Sequence, residues 1–228
     1  MTDLILFGVF PYVAVGLAVA VGFYRYCIDR YSWSSQSSQF LESRVLFWGS
    51  VPWHYAILLI LLAHLLAFLF PEGWGVVLGR PLRLYMLEVS GMALGIATVV
   101  AVALLILRRA TNDRVAAVTS VVDWVLLAAL LVQVATGVYI AFTLRWGGVW
   151  YLHTASPWLW SLVKLDPQVQ YLAVLPAVVK VHAVNAFFLV AIFPFSRLVH
   201  VVSVPLSYLA RPYQVVIWNR RQSTKQVP

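Results

Sequence analysis

The chain has 228 residues, of which 62% are hydrophobic and 11% are charged, and its formal net charge is +8. Soluble domains are typically about 45–50% apolar and about 25% charged, so this composition excludes a soluble enzyme and predicts an all-α integral membrane protein. In such a protein the excess of Lys and Arg reports orientation, because nucleic-acid binding would need a basic patch on a soluble module.

The apolar stretches predict five membrane-spanning helices in a single domain, 1–228. A span needs about 20 mostly apolar residues, and such stretches occur at about 4–24, 46–70, 88–107, 123–144 and 170–200. We expect the first to be retained rather than cleaved as a signal, because it has no basic n-region. In the third, Gly91 and Gly95 form a Gly-x-x-x-Gly pair that is typical of close helix packing. Pro176 and Pro194 should bend the fifth.

Two segments outside the spans are distinctive. The connection 145–169 is too aromatic for a free loop, so we expect a short amphipathic segment along the membrane surface. Its aromatic residues include Trp146, Trp150, Tyr151, Trp158 and Trp160. The last segment, 201–228, is predicted to be a cytoplasmic tail that contacts partner subunits.

The basic residues predict the orientation of the helices, because Lys and Arg are enriched in cytoplasmic loops. With an outside N-terminus, eleven basic residues fall on the inner side and four on the outer side, leaving out Lys180 within the fifth span. The inner ones are Arg25, Arg30, Arg44, Arg108, Arg109, Arg114, Arg197, Arg211, Arg220, Arg221 and Lys225; the outer ones are Arg80, Arg83, Arg145 and Lys164. The N-terminus is therefore predicted outside and the C-terminus in the cytoplasm.

Four histidines lie in two of the spans, where ionisable residues are costly and usually functional. The second span carries His54 and His64, and the fifth carries His182 and His200. In antiparallel helices, His64 pairs by depth with His182 on the outer side, and His54 pairs with His200 on the inner side. The first two are about 15 Å apart along an ideal helix and the last two about 27 Å, so the Pro194 bend and helix tilt must absorb the difference.

Each pair could hold one haem iron through two imidazoles, so we predict two haems between spans two and five. Such a site passes electrons and does not bind oxygen. His182 and His200 are eighteen residues apart, five whole turns, and should share one helix face. The alternative is that the histidines only bridge helices by hydrogen bonds.

Haem propionates need cations near the membrane faces. Arg197 is close to His200 on the inner side, and Lys180 is close to His182 on the outer side. We predict that these two residues bind propionates, although both could instead be long side chains that snorkel to the interface.

Several motifs resemble the cytochrome b (gamma) subunit of the membrane-bound respiratory nitrate reductase, over about 11–215. The most specific is Phe193-Pro-Phe-Ser-Arg-Leu-Val-His200, which continues through Ser203-Val-Pro205. The others are Tyr208-Leu209, Tyr213-Gln214, Tyr31-x-Trp33 with Ser37-Ser38-Gln39, the spacings of the four histidines, and Asp123, Gln133 and Gly137 in the fourth span. The aromatic connection 145–169 matches poorly.

The resemblance implies a function. A lipid quinol, menaquinol or ubiquinol, is oxidised near the outer haem b, and its electrons pass to the inner haem b. From there they reach an iron–sulfur (beta) subunit and a molybdenum catalytic (alpha) subunit that reduces nitrate on the cytoplasmic side of a prokaryotic cell membrane. This chain itself would carry no nitrate-reducing site and would bind no nucleic acid.

The resemblance also implies that a basic residue between spans two and three serves the quinol pocket. The family has a lysine there, and Arg83 stands in its place. Arginine is permanently charged and cannot accept a proton, although it can bind the quinol oxygen. Glu88 is a candidate proton acceptor, or alternatively only a favourable charge at a helix N-terminus.

Two other functions fit the same residues. The chain could serve a related molybdenum or iron–sulfur complex, such as a sulfur, heterodisulfide or nitrite oxidoreductase, because function depends on the partners. It could also be a haem-free membrane anchor or transporter with buried histidines.

Overall fold

A computed structural model describes residues 1–28, 33 and 38–203, and within them the structure is helical. Five helices are long and apolar enough to cross a membrane, which confirms the predicted number of spans: Thr2–Ile28, Arg44–Leu69, Pro81–Thr111, Val121–Thr143 and Ala177–Phe195. The predicted tail lies outside the described residues, apart from 201–203.

The helices are numbered in chain order. They are α1 (Thr2–Ile28, with a π-helical turn at Ile5–Val9), α2 (Arg44–Leu69), α3 (Pro71–Leu78), α4 (Pro81–Thr111), α5 (Asp113–Ala116), α6 (Val121–Thr143), α7 (Gly147–His153), α8 (Ala155–Val163), α9 (Gln170–Ala173) and α10 (Ala177–Ile192). Two 3₁₀ turns follow, Phe193–Phe195 and Arg197–Val201.

Local sequence explains where the helices begin. Pro71 and Pro81 stand at the starts of α3 and α4, where proline's missing N–H costs nothing. A capping box of Ser120 and Asp123 starts α6. Because α4 begins at Pro81 rather than near residue 88, Arg83 lies in its first turn and not in a connection.

The fifth span is less regular than the sequence suggests. Pro176 precedes α10, and α10 ends at Ile192, just before Pro194. Ser196 then has extended backbone angles, and His200 lies in a 3₁₀ turn. The expectation that His182 and His200 share one face of a continuous helix is therefore wrong, because the backbone leaves the helix between them.

The five long helices pack in the order α2, α4, α6, α10, α1. Small residues permit the close approaches. A Cβ on Gly49 of α2 would come within 2.8 Å of the Leu105 side chain of α4, and a Cβ on Gly95 would come within 2.9 Å of Val138 of α6. A Cβ on Gly91 would meet nothing within 4 Å, so only half of the predicted Gly-x-x-x-Gly pair makes a close contact.

The aromatic connection folds into α7 and α8 and closes one end of the bundle, here called the capped end. Trp158 is 3% exposed, packs edge-on against Phe7 and Phe187, and donates a hydrogen bond to the Phe7 carbonyl. Trp160 stacks on Phe68 of α2 and donates to its carbonyl. These tryptophans hold helices together, so the segment is part of the packed structure.

The opposite end, here called the arginine end, contains an ion pair that fixes the chain before α2. Arg108 is 3% exposed and donates to the Glu42 carboxylate at 2.6 Å and to Ser38. The Val45 N–H and the Arg108 guanidinium hold the pKa of Glu42 below its usual value, so the pair is ionised at neutral pH.

Candidate functional site

The structure brings His54 and His200 together at the arginine end. Their ring centroids are 5.9 Å apart and their planes are inclined by 64°. A metal–imidazole bond is about 2 Å long, so two imidazoles on opposite sides of one metal ion place their centroids about 6 Å apart. The spacing of this pair suits shared coordination of one metal ion.

The second pair lies nearer the capped end. His64 is on α2 and His182 is on α10, close enough that a charge on one imidazole would repel a charge on the other. Tyr151 of α7 packs edge-on against His64 with ring centroids 5.8 Å apart, and its hydroxyl lies 3.4 Å from the His64 carbonyl. Burial raises the pKa of Tyr151 to about 12, so this hydroxyl remains a donor at neutral pH.

Three of the four imidazoles are oriented by their own helix or turn. Nδ1 lies 2.7 Å from the Ser50 carbonyl in His54, 2.8 Å from the Ile60 carbonyl in His64, and 2.7 Å from the Arg197 carbonyl in His200. A carbonyl only accepts, so Nδ1 carries the proton and Nε2 keeps its lone pair. That is the tautomer of a metal ligand whose second nitrogen is held by an outer partner.

His182 is oriented by α6 instead. Its Nδ1 lies 3.0 Å from Thr136 Oγ1, and its Nε2 lies 3.0 Å from Gln133 Nε2. A Cβ on Gly137 would come within 3.3 Å of the ring. The residue at position 137 must therefore be small for the imidazole to lie against this helix.

The two histidine-bearing helices do not pack directly on each other. In the bundle order, α4 and α6 lie between α2 and α10, and His200 reaches His54 from the 3₁₀ turn that follows α10. A flat cofactor fits such an arrangement, because each imidazole approaches it from one side.

Each pair has too few ligands to hold a metal ion alone. Among residues 1–28, 33 and 38–203, no group of three or more His, Cys, Asp or Glu side chains could bind a metal. Two imidazoles leave the remaining positions to a cofactor, and haem iron takes axial imidazoles. The residues present therefore fit a haem at each pair, provided that iron takes the place of Gln133 at Nε2 of His182.

Comparison with known proteins identifies the family. The family model "Nitrate reductase gamma subunit" matches residues 3–219. The chain belongs to the nitrate reductase gamma subunit family. It is thus a subunit of an oxidoreductase complex of nitrate respiration that has further subunits.

Individual relatives align with nearly the whole of this chain. The nitrate reductase gamma chain of Bacillus subtilis (strain 168) is 32% identical over 97% of this chain and 100% of its own length. The respiratory nitrate reductase 1 gamma chain of Escherichia coli (strain K12) is 30% identical over 94% and 96%. The nitrate reductase-like protein NarX of Mycobacterium tuberculosis (strain CDC 1551 / Oshkosh) is 33% identical over 94% of this chain but only 33% of its own length.

At the arginine end of this gamma-family chain, Arg197 is fixed by an acidic partner. It donates to both carboxylate oxygens of Asp123, at 2.6 and 3.1 Å, and Arg109 lies 3.6 Å from the same carboxylate. Arg197 is three residues from His200, and the Arg197 carbonyl accepts the hydrogen bond from His200 Nδ1–H. The guanidinium therefore has a defined position beside His54 and His200.

Lys180 lies at the capped end and faces α1. Its Nζ is 3.6 Å from Asp3 Oδ1, and both side chains are partly exposed. The predicted propionate role of Lys180 stays a prediction, since Asp3 is the partner found here.

The two candidate quinol residues are near the start of α4. Arg83 donates to the Val76 carbonyl of α3 at 2.8 Å. Glu88 accepts a hydrogen bond of 2.9 Å from the N–H of Gly148 in the first turn of α7. Glu88 thus ties the capping helix to α4, a contact that its sequence position alone did not indicate.

Sequence reasoning missed three residues beside the histidines: Thr136, Tyr151 and Asn185. Threonine and asparagine occur in many membrane helices as bridging residues, so nothing marked these two. Tyr151 was grouped with the aromatic connection, and its contact with His64 depends on how α7 folds back.

Proposed function

We propose that this chain is the quinol-oxidising dihaem cytochrome b subunit of a nitrate reductase. It would pass electrons from membrane quinol through an outer and then an inner haem b to a cytoplasmic iron–sulfur subunit. The observation that supports it most strongly is the close approach of His54 to His200. In both residues, and in His64, Nδ1 is bonded to a carbonyl, so that Nε2 keeps its lone pair.

His64 and His182 would hold the outer haem b, and His54 and His200 the inner one. When bound, the haems supply one-electron carriers, and two imidazoles on each iron leave no position for oxygen. Arg197, held by Asp123 beside His200, would bind an inner propionate, and Lys180 an outer one. Their cationic heads offset the carboxylate charge near the membrane faces.

The capped end would hold the quinol, menaquinol or ubiquinol. Arg83 would bind a quinol oxygen, since its guanidinium is permanently charged and only donates. Glu88 would accept a quinol proton while it also holds the Gly148 N–H.

The two roles of Glu88 can be separated. Glu88→Gln keeps an acceptor for Gly148 but cannot take a proton, so we expect quinol oxidation to fall about 100-fold with both haem spectra unchanged. Glu88→Ala should also disturb α7. An unchanged rate in Glu88→Gln would leave Glu88 with the structural role alone.

The arginine end would face the cytoplasm of a prokaryotic cell, with the chain as a multi-pass protein of the cytoplasmic membrane. There the iron–sulfur (beta) subunit would dock and carry electrons to the molybdenum (alpha) subunit. Segment 201–228, which is mostly outside the described residues, would contribute to this contact. His200 lies at this end, three residues from Arg197, which favours electron exit there.

Haem content tests the proposal. We expect reduced b-type absorption and about two haems per chain by pyridine haemochrome assay, as two axial pairs require. His182→Ala should lose the outer haem and quinol oxidation while the inner haem remains, and His54→Ala should lose the inner haem.

His153→Ala is the matched control, because His153 is exposed at the end of α7. It should retain both haems. A pigment-free wild-type protein would end the proposal, and loss of only the inner haem in His182→Ala would reverse the assignment of the pairs.

A further inference from the structure

A chain of hydrogen bonds joins α6 to the ring of His182. Asn185 Nδ2 donates to the Ala129 carbonyl at 2.9 Å and to Gln133 Oε1 at 2.7 Å. Gln133 Nε2 lies 3.0 Å from His182 Nε2, and Thr136 Oγ1 lies 3.0 Å from Nδ1 on the other side of the ring. Both ring nitrogens therefore have a partner on the same neighbouring helix.

The hydrogen bonds of Asn185 and Gln133 determine whether His182 Nε2 donates or accepts. The Ala129 carbonyl can only accept, so the amide nitrogen of Asn185 must face it. That nitrogen also donates to Gln133, whose oxygen is thereby directed to Asn185 and whose nitrogen is directed to the imidazole. Because an amide nitrogen only donates, Nε2 of His182 accepts and carries no proton.

The hydrogen bonds of Thr136 determine whether His182 Nδ1 donates or accepts. A neutral imidazole with an unprotonated Nε2 has its proton on Nδ1. The Thr136 hydroxyl has one proton, and the Val132 carbonyl lies 2.7 Å away to accept it. The hydroxyl oxygen is then free to accept from His182 Nδ1–H.

We propose that Thr136 is a positioning residue of the outer haem site. Its hydroxyl oxygen accepts the Nδ1–H of His182 and so fixes the tautomer, ring plane and donor strength of that ligand. The proposal rests on the proposed function, since it requires iron at His182 Nε2. Iron there would replace the bond from Gln133, whereas the bond to Thr136 lies on the opposite side of the ring.

This arrangement distinguishes His182 from the other three histidines. Those use a backbone carbonyl three or four residues earlier in their own segment, which no substitution can remove. His182 relies on one hydroxyl from another helix. A side-chain change can therefore alter this one ligand and leave the inner pair untouched.

The expected effect follows from ligand chemistry. A hydrogen-bond acceptor at Nδ1, the nitrogen that does not bind the metal, raises the basicity of an imidazole ligand. A more basic ligand favours ferric over ferrous iron. Thr136→Val keeps the shape and removes the acceptor. The midpoint potential of the outer haem should then rise, and its ferric low-spin electron paramagnetic resonance signal should change because the ring can rotate.

The experiment uses the purified complex and measures both haem potentials by optical potentiometry, together with the ferric resonance spectrum. The outer haem is assigned as the one lost in His182→Ala. Thr136→Ser retains the hydroxyl and should resemble the wild type. Thr143→Val is the matched control, since Thr143 is an exposed threonine of the same helix whose hydroxyl donates to the Tyr139 carbonyl.

The proposal is supported if the midpoint potential of the outer haem rises in Thr136→Val but not in Thr136→Ser or Thr143→Val. Loss of the outer haem in Thr136→Val and in neither of the other two variants also supports it. Equal effects of Val and Ser at position 136, or a wild-type potential and spectrum in Thr136→Val, overturn it. A wild-type protein without haem defeats the proposed function as well. If both haems of the Thr136→Val complex have wild-type midpoint potentials and spectra, only the role of Thr136 is contradicted.

Discussion

At the scale of single residues, Gly137 has the most direct link to the candidate site. It lies on α6 opposite the His182 ring, and a Cβ there would come within 3.3 Å of Cε1. Depth in a membrane helix follows from residue number, and on that basis His54 is expected near His200, where the structure places it. Depth could not predict Gly137 as a contact, since that depends on the rotation of α6 against α10.

We expect Gly137→Ala to displace the His182 ring by a few tenths of an ångström, because a Cβ contact of 3.3 Å is tight. Outer haem content or its absorption maximum should change, as measured by redox difference spectroscopy. Gly91→Ala is the control, since a Cβ there meets nothing within 4 Å. Identical spectra for both variants would show that the close approach at Gly137 has no effect on the ligand.

At the scale of elements, apolar length predicted the five long helices but not the breaks and caps between them. The sequence motif Phe193-Pro-Phe-Ser ends α10, and the turn after it brings His200 back to His54. A helical wheel assumes a continuous helix, so it gave the wrong relation between His182 and His200, which the break after Ile192 separates. The aromatic composition of 145–169 indicated a short ordered segment, but the contacts of α8 with α1, α2 and α10 that hold it in place depend on the tertiary structure.

The capping helices should contribute strongly to stability through Trp158. Its ring is 3% exposed among Phe7, Leu162 and Leu172, and its N–H is bonded to a carbonyl. Trp158→Ala should lower the free energy of unfolding by about 3–5 kcal/mol, measured by circular dichroism during denaturation in detergent. Trp48→Ala, at a tryptophan that is 62% exposed, should cost much less, and equal losses would contradict the packing described for the cap.

At the scale of the whole molecule, the distribution of basic residues is the basis for the predicted orientation of the chain. The arginine end combines Arg108 with Glu42, and Arg197 and Arg109 with Asp123. Ion pairing neutralises part of that positive charge, yet arginine still predominates at this end. The bias of basic residues predicts that this end is cytoplasmic, where reduced haem would meet the iron–sulfur partner.

Cys27 offers a direct measurement of this orientation. It is the single cysteine of the chain, it is exposed, and it lies close to the arginine end of α1, where Arg25 donates to the Pro194 carbonyl. If the N-terminus is outside, a membrane-impermeant maleimide should label Cys27 in inside-out vesicles and not in intact spheroplasts, since the bilayer blocks its access. In a Cys27→Ser background, Val163→Cys at the end of α8 should give the opposite pattern, because Val163 is 61% exposed at the capped end. Labelling of Cys27 from outside would show that the predicted orientation is reversed.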